Sequence, residues 1–114
     1  MVVKTVKTVS GTPRRPAEEI APGIGGWPPW ARAAVEIARI APSAVNRQPW
    51  RFRYEEGRVI VAYDGPEMAH RVSKKLDCGI AMLHFELGAM AAGVQGQWER
   101  ADEHGTDVAR FRLT

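Results

Sequence analysis

The feature that most constrains the fold of this chain is a long apolar segment, predicted to form a helix from about Ser73 to Ala92. Two apolar stripes run along neighbouring faces of this helix. The first consists of Leu76, Ile80, Leu83, Leu87 and Met90, and the second of Cys78, Met82, Phe85, Ala89 and Ala92. Such a helix must be covered on most sides, and a chain of 114 residues has few other elements to cover it. We therefore expect a partner surface, supplied by a second copy in a homodimer.

Small residues are frequent on the same helix and allow another backbone to approach closely. They are Gly79, Ala81, Gly88, Ala89, Ala91 and Ala92. If a second copy makes this approach, replacing Gly88 with leucine should disrupt the dimer.

Composition and length are those of one soluble globular domain. Hydrophobic residues make up 45% and charged residues 25% of the chain, which excludes disordered, collagenous and membrane classes. No apolar run approaches the roughly 20 residues of a membrane span, and residues 1–10 lack the apolar block of a signal peptide, so we expect a cytoplasmic protein. The single cysteine and three scattered histidines lack zinc spacing, so no metal is expected. The net charge of +3 permits an anionic ligand.

Local patterns predict an α+β fold, with two main helices packed on a small, largely antiparallel sheet of four or five strands. The first helix begins at Pro28 or Pro29, and its predicted buried stripe is Trp30, Ala34, Ile37 and Ala41. Pro42 ends it. Alternation and turn signals predict strands at 50–55, 58–63, 95–100 and 108–113, the first two joined as a hairpin.

The N-terminal part of the chain has a different character. Residues 2–9 are β-branched and fit an edge strand, an exchanged strand or a disordered arm. The following turn-rich, basic and Gly/Pro-rich residues are typical of extended chain rather than core. The sequence therefore predicts an extended basic arm over residues 1–26 and a folded domain over 27–114.

Between the first helix and the first strand lies a polar segment with proline on both sides. Ser43, Asn46 and Gln48 are three uncharged hydrogen-bonding side chains within six positions, and Pro42 and Pro49 stiffen the backbone around them. This pattern is typical of a loop that presents polar groups to a ligand.

No constellation of side chains predicts catalysis by the protein's own groups. His84 lies among apolar helical residues without an acid or nucleophile beside it, so a structural role is favoured over that of a general base. Cys78 fits a small buried hydrophobic residue. The helix dipole alone explains Asp77, in the first turn of its helix. If the protein is an enzyme, a cofactor is expected to carry the chemistry, with no catalytic side chain assigned.

Arginines interleaved with aromatic residues around the first strand raise the alternative of a single-stranded nucleic-acid site. They are Arg39, Arg47, Arg51 and Arg53, with Trp50, Phe52 and Tyr54. Strand alternation would place the aromatics on one face and the arginines of the strand on the other, as in a core strand with a solvated back. We therefore expect no nucleic-acid partner.

The segment A-P-S-A-V-N-R-Q-P-W-R-F closely resembles the A-P-S-x-x-N-x-Q-P-W signature of the FMN-dependent nitroreductase family. The segment beginning L-D-C-G resembles the family's D-x-G helix followed by G-x-x-G-x-W, and G-T-P-R-R-P-A-E-E-I resembles its basic R-x-P-x-E-E segment. The basic segment comes first here, which is similar to the second half of a divergent subgroup with two nitroreductase-like halves in one chain. The resemblance implies a partial nitroreductase-like fold.

The resemblance also implies a function and a set of site residues. The flavin site would be lined by Pro42, Ser43, Asn46 and Gln48, with Arg14 and Arg15 as phosphate ligands. NAD(P)H would reduce FMN, and the flavin would then reduce a small-molecule acceptor, a nitroaromatic or a quinone. The alternative is a non-catalytic half-domain that pairs with itself or with a separately encoded first half, since the family's upstream R-R-S-x-R segment is not found in these residues.

Overall fold

The protein folds into three helices on one face of a four-stranded sheet, in a computed structural model that describes residues 12–65, 73–101 and 105–114. The helices are α1 (Ala17–Ile20), α2 (Pro29–Arg39) and α3 (Lys74–Ala91). The strands are β1 (Trp50–Glu55), β2 (Arg58–Tyr63), β3 (Gly96–Arg100) and β4 (Asp107–Leu113). The predicted α+β class is confirmed. The predicted strand or arm at residues 2–9 lies outside the described residues.

All neighbouring strands pair antiparallel, in the order β1-β2-β4-β3. The predicted hairpin is confirmed, with Phe52 opposite Val61 in the β1–β2 register. Trp50 and Phe52 are buried, as the alternation predicts, whereas Arg53 lies on the outer face and forms a 2.8 Å ion pair with Asp107. Two of the three aromatics that raise the nucleic-acid alternative therefore belong to the core, Tyr54 is partly buried against it, and Arg53 already has a carboxylate partner.

The core lies between the sheet and α3. Phe85 of α3 stacks on Phe52 with ring centroids 5.6 Å apart, and meets Phe111 of β4 edge-on at 5.2 Å. Trp98 of β3 completes the cluster and donates a 3.1 Å hydrogen bond to the Met82 carbonyl. These contacts fix α3 across the inner face of the sheet.

Helix α2 packs along α3, and its buried face differs from the predicted stripe. The buried residues are Ala31, Ala34, Val35 and Ala38, whereas Ile37 is 40% exposed. The closest approach is at Gly88, where an added Cβ would lie 2.9 Å from the Ala34 Cα and 3.1 Å from the Ile37 Cβ. Because the two helices lie so close together, only the base of the Ile37 side chain packs on α3, and the rest of it stays exposed.

The same approach corrects the interpretation of Gly88. This glycine is buried against α2 of its own chain, so it does not face a second copy. The exposed side of α3 instead carries most of the first predicted stripe. Its large exposed side chains are Leu76, Leu83, Leu87 and Met90, referred to below as the exposed α3 face.

The expectation of extended chain before residue 27 is wrong for part of the segment. Ala17–Ile20 forms a short helix with Glu18 and Glu19 in its first turn, where carboxylates complement the helix dipole. Ile20 and Ala21 are fully buried in the core, because burial of their apolar side chains against the sheet and α2 offsets the ordering of the chain. The division of the chain after residue 26 stays a prediction. Within the described ranges, every helix is too short or too polar to cross a bilayer.

Candidate functional site

The segment from Pro42 to Pro49, here named the polar loop, joins α2 to β1 and has an unusual backbone. Val45, Asn46 and Gln48 have φ values of 45°, 54° and 48°, in the left-handed region that non-glycine residues rarely adopt. Each such residue costs on the order of 1–3 kcal/mol and persists only where surrounding contacts hold it. Strained backbone of this kind clusters at ligand sites, and the contacts that hold it identify the site's framework.

Gln48 holds the polar loop together through hydrogen bonds within the chain. It is only 5% exposed, and its backbone N–H donates to the Ser43 Oγ at 2.9 Å. Its side-chain Oε1 accepts from the Arg15 N–H at 2.7 Å, and its Nε2 donates to the Asn46 carbonyl at 3.0 Å. The carboxamide is therefore already used inside the chain, so Gln48 shapes the loop rather than facing outward.

The basic segment at residues 13–16 runs against the polar loop and is tied to it. The Asn46 Nδ2 donates to the Pro13 carbonyl at 2.9 Å, and the Arg15 guanidinium donates to the Arg47 carbonyl at 3.3 Å. The structure thus brings Ser43, Asn46, Gln48 and Arg15 into one hydrogen-bonded cluster with Arg14 beside it. Pro42, the remaining predicted site residue, lies exposed at the start of the loop.

The two arginines differ in how much of their charge is already matched. Arg15 forms a 2.6 Å ion pair with Glu19. The Arg14 guanidinium donates only to neutral carbonyls, those of Thr12, Pro13 and Ile40, at 3.2–3.3 Å, and has no carboxylate partner in the described part of the chain. The Nε atoms of both arginines are buried without a hydrogen-bond acceptor within the described ranges. Arg14 is therefore the better-placed cation for an anionic ligand.

Asp77 is a site residue that the sequence interpretation missed. Its side chain is 1% exposed and accepts hydrogen bonds from the Ala44 N–H at 3.1 Å and the Arg47 Nε at 2.7 Å. The helix dipole alone does not account for a buried carboxylate with two partners in the polar loop. The available signal was an acid between two apolar residues of α3, but its partners lie about 30 positions away in sequence.

The other polar candidates have structural surroundings. His84 is half-buried, with its Nδ1 3.0 Å from the Ile80 carbonyl in the preceding turn. Cys78 is fully buried in the core, as expected for a small hydrophobic residue. Within the described ranges, acidic, histidine and cysteine side chains form no group of three or more that could hold a metal ion.

The polar loop does not line the highest-volume cavity among those found in the described residues. A cavity of about 360 Å³ between α3 and the β3–β4 pair is lined by Met82, Trp98 and Val108, among others, and includes no polar-loop residue. What the loop offers is a rigid edge with Ser43, Asn46 and backbone amides, next to a cationic segment. Such an edge can hold a flat polar ring with an attached anion if a second surface covers it.

Comparisons with known proteins give a consistent result. Residues 4–89 match a family model described as "Putative TM nitroreductase". A Mycobacterium tuberculosis protein named "Putative NAD(P)H nitroreductase acg", found in two strains, is 32% identical over 74 residues, which are 60% of this chain and 22% of that protein. The crystal structure of a "putative nitroreductase" from Thermotoga maritima aligns with a TM-score of 0.70 at 28% identity, over 90% of this chain and 42% of that chain. This chain therefore spans less than half the length of either relative.

Proposed function

Because this chain belongs to the nitroreductase family, we propose that it acts as an FMN-linked oxidoreductase in which NAD(P)H reduces the flavin and a nitroaromatic or quinone is reduced in turn. The observation that carries the proposal is the polar loop. Its A-P-S-A-V-N-R-Q-P-W sequence adopts a strained left-handed backbone, held by hydrogen bonds to two other segments. Strain retained in this way is typical of a loop preorganised for a ligand.

The cationic segment fits the phosphate end of FMN. Arg14 has no carboxylate partner among the described residues and a buried Nε without an acceptor, so a phosphate would supply the missing charge and acceptors. Its present hydrogen bonds go to neutral carbonyls, which a phosphate can displace. Arg15 is the weaker candidate because Glu19 already neutralises it.

The polar loop fits the ring end of FMN. Ser43 and Asn46 offer both donors and acceptors, which the edge of an isoalloxazine requires, and Pro42 limits backbone movement beside them. Gln48 would act by holding the loop and the basic segment together. The flavin, when bound, supplies the redox chemistry, and the protein supplies position and electrostatics with no catalytic side chain assigned.

The proposed assembly is a homodimer through the exposed α3 face. Leu76, Leu83, Leu87 and Met90 form an apolar surface along one helix, which association would remove from water. Residues 27–114 would form the second half of a nitroreductase-like domain, preceded by the basic arm 1–26. The second copy would cover the polar loop and enclose the flavin. We place this enzyme in the cytoplasm.

One observation favours a second candidate, a non-catalytic half-domain that keeps the fold and pairs with itself or a separately encoded first half. The amide groups of Gln48 and Asn46 are already bonded within the chain, to the backbone of residues 13–15 and 46. A loop held in this way by its own chain does not need a cofactor to hold it. FMN binding discriminates between the two candidates.

The proposal is tested by NAD(P)H oxidation in the presence of a quinone or nitroaromatic acceptor, with the protein supplemented with FMN. We expect acceptor-dependent turnover above that of free FMN. The variant Arg14→Met should raise the apparent FMN requirement about tenfold, since it removes a charge-assisted contact. Arg32→Met, which removes one exposed charge from α2, is the control and should change nothing. Rates equal to those of free FMN would refute the proposal.

A further inference from the structure

We propose that Asp77 is a positioning residue that clamps the polar loop in its ligand-ready conformation; the part concerning flavin rests on the function proposed above. Asp77 lies in the first turn of α3, and its carboxylate is buried beneath the loop. One oxygen accepts from the Ala44 N–H at 3.1 Å and the other from the Arg47 Nε at 2.7 Å.

The two hydrogen bonds hold the two ends of the strained turn. Ala44 precedes and Arg47 follows Val45 and Asn46, which have positive φ. A carboxylate offers two separate oxygens and a negative charge, so one oxygen can bind the Ala44 amide while the other pairs with the Arg47 guanidinium. The clamp therefore acts on the part of the loop that would relax if released.

Stability alone is a weak explanation for this buried ion pair. Bringing a carboxylate and a guanidinium out of water carries a large desolvation penalty, and apolar residues of similar size often serve equally well. The Arg47 side chain is 15% exposed and that of Asp77 2%, so both groups bear this penalty. A specific geometry in the polar loop gives the pair a role that apolar residues could not fill.

The clamp also reaches the basic segment. The backbone carbonyl of Arg47 accepts from the Arg15 guanidinium at 3.3 Å, and the Arg15 N–H donates to Gln48 at 2.7 Å. A shift of Arg47 would move both the ring-facing loop and the cationic segment. Asp77 is therefore expected to affect cofactor binding without touching the cofactor.

The test compares the full-length protein with the double variant Asp77→Asn/Arg47→Met, which removes both charges and leaves neither one buried alone. We expect amide hydrogen exchange of the peptide covering residues 43–49 to become about tenfold faster, and the Kd for FMN to rise about tenfold. The melting temperature should change little, because the double variant leaves neither charge buried without its partner. The control is Arg53→Met/Asp107→Asn, which removes an ion pair from the outer face of the sheet. It should leave the exchange rate at residues 43–49 and the Kd for FMN unchanged.

A milder variant keeps the test decisive if the double variant folds poorly. Arg47→Lys preserves the charge but loses the Nε donor, so exchange at residues 43–49 should still be faster than in the wild type. Wild-type exchange in whichever of these variants is folded would overturn the inference. If the wild type does not bind FMN, the proposed function fails, and the exchange data alone then judge the clamp.

Discussion

Val45 is the residue at which the strain of the polar loop is easiest to relieve. Its φ of 45° places a β-branched side chain in the left-handed region, and the side chain is 93% exposed. Its side chain therefore makes no core packing contact that could compensate for the strained backbone. The strain is therefore held by neighbouring hydrogen bonds, at Ser43, Gln48 and Asp77.

We expect Val45→Asn to stabilise the protein by about 1 kcal/mol, because asparagine adopts the left-handed conformation more readily than valine. Urea unfolding monitored by tryptophan fluorescence measures the change. Val45→Ile retains the branching and should leave the unfolding midpoint unchanged. Equal midpoints for the asparagine and isoleucine variants would contradict a left-handed Val45.

The sequence predicted which residues form the polar loop but not which residues they contact. The spacing of Ser43, Asn46 and Gln48 between prolines indicates a polar loop, and the structure places these residues together. Their partners could not be predicted, because Gln48 bonds to Arg15 and Asp77 to Arg47, each about 30 positions away. No local pattern encodes contacts that form only when separate elements meet.

Two glycines of α3, Gly88 and Gly79, have opposite effects on the helix. At Gly88 an added Cβ would lie 2.9 Å from the Ala34 Cα, which is backbone and cannot rotate away. At Gly79 an added Cβ would meet nothing within 4 Å. Gly88 is thus required for close helix approach, whereas Gly79 only lowers helix propensity.

We expect Gly88→Ala to destabilise the fold by about 1–3 kcal/mol through overpacking. Gly79→Ala should stabilise it by roughly 0.5–1 kcal/mol, because alanine loses less backbone entropy in a helix. Chemical denaturation of both variants measures the two effects. A neutral Gly88→Ala would mean that α2 and α3 lie farther apart than the structure places them.

The elements themselves were largely predictable. The β1–β2 hairpin was predicted within its observed bounds, because strand alternation and a Glu56-Gly57 turn are local signals. The exposure of Ile37 on α2 was not predictable, since it depends on how closely α2 packs against Gly88 of α3. Helix α1 was missed because four helical residues are too few to produce a periodic pattern.

At the scale of the whole molecule, the exposed α3 face is the largest group of exposed apolar side chains on one helix among the described residues. Its four large side chains are each more than half exposed, although they lie on the most apolar helix. The sequence predicts a partner for this helix, and the structure shows which of its large apolar side chains remain exposed in the described part of the chain. The sequence could not show that Gly88 packs against α2 of the same chain.

We expect the wild type to sediment as a dimer and Leu83→Glu to sediment as a monomer, because a carboxylate on this face would be buried without a partner. Analytical ultracentrifugation at several concentrations makes the measurement. Gln97→Glu adds the same charge at an exposed position on β3 and should remain dimeric. A monomeric wild type would rule out the proposed self-association.

The absorption spectrum of the pure protein, recorded with and without added FMN, tests the flavin site most directly. We expect either a yellow preparation or uptake of FMN with a Kd of about 1 µM or tighter, accompanied by a shift of the flavin bands in a less polar site. A colourless protein that leaves the spectrum of added FMN unchanged throughout the titration would contradict the account.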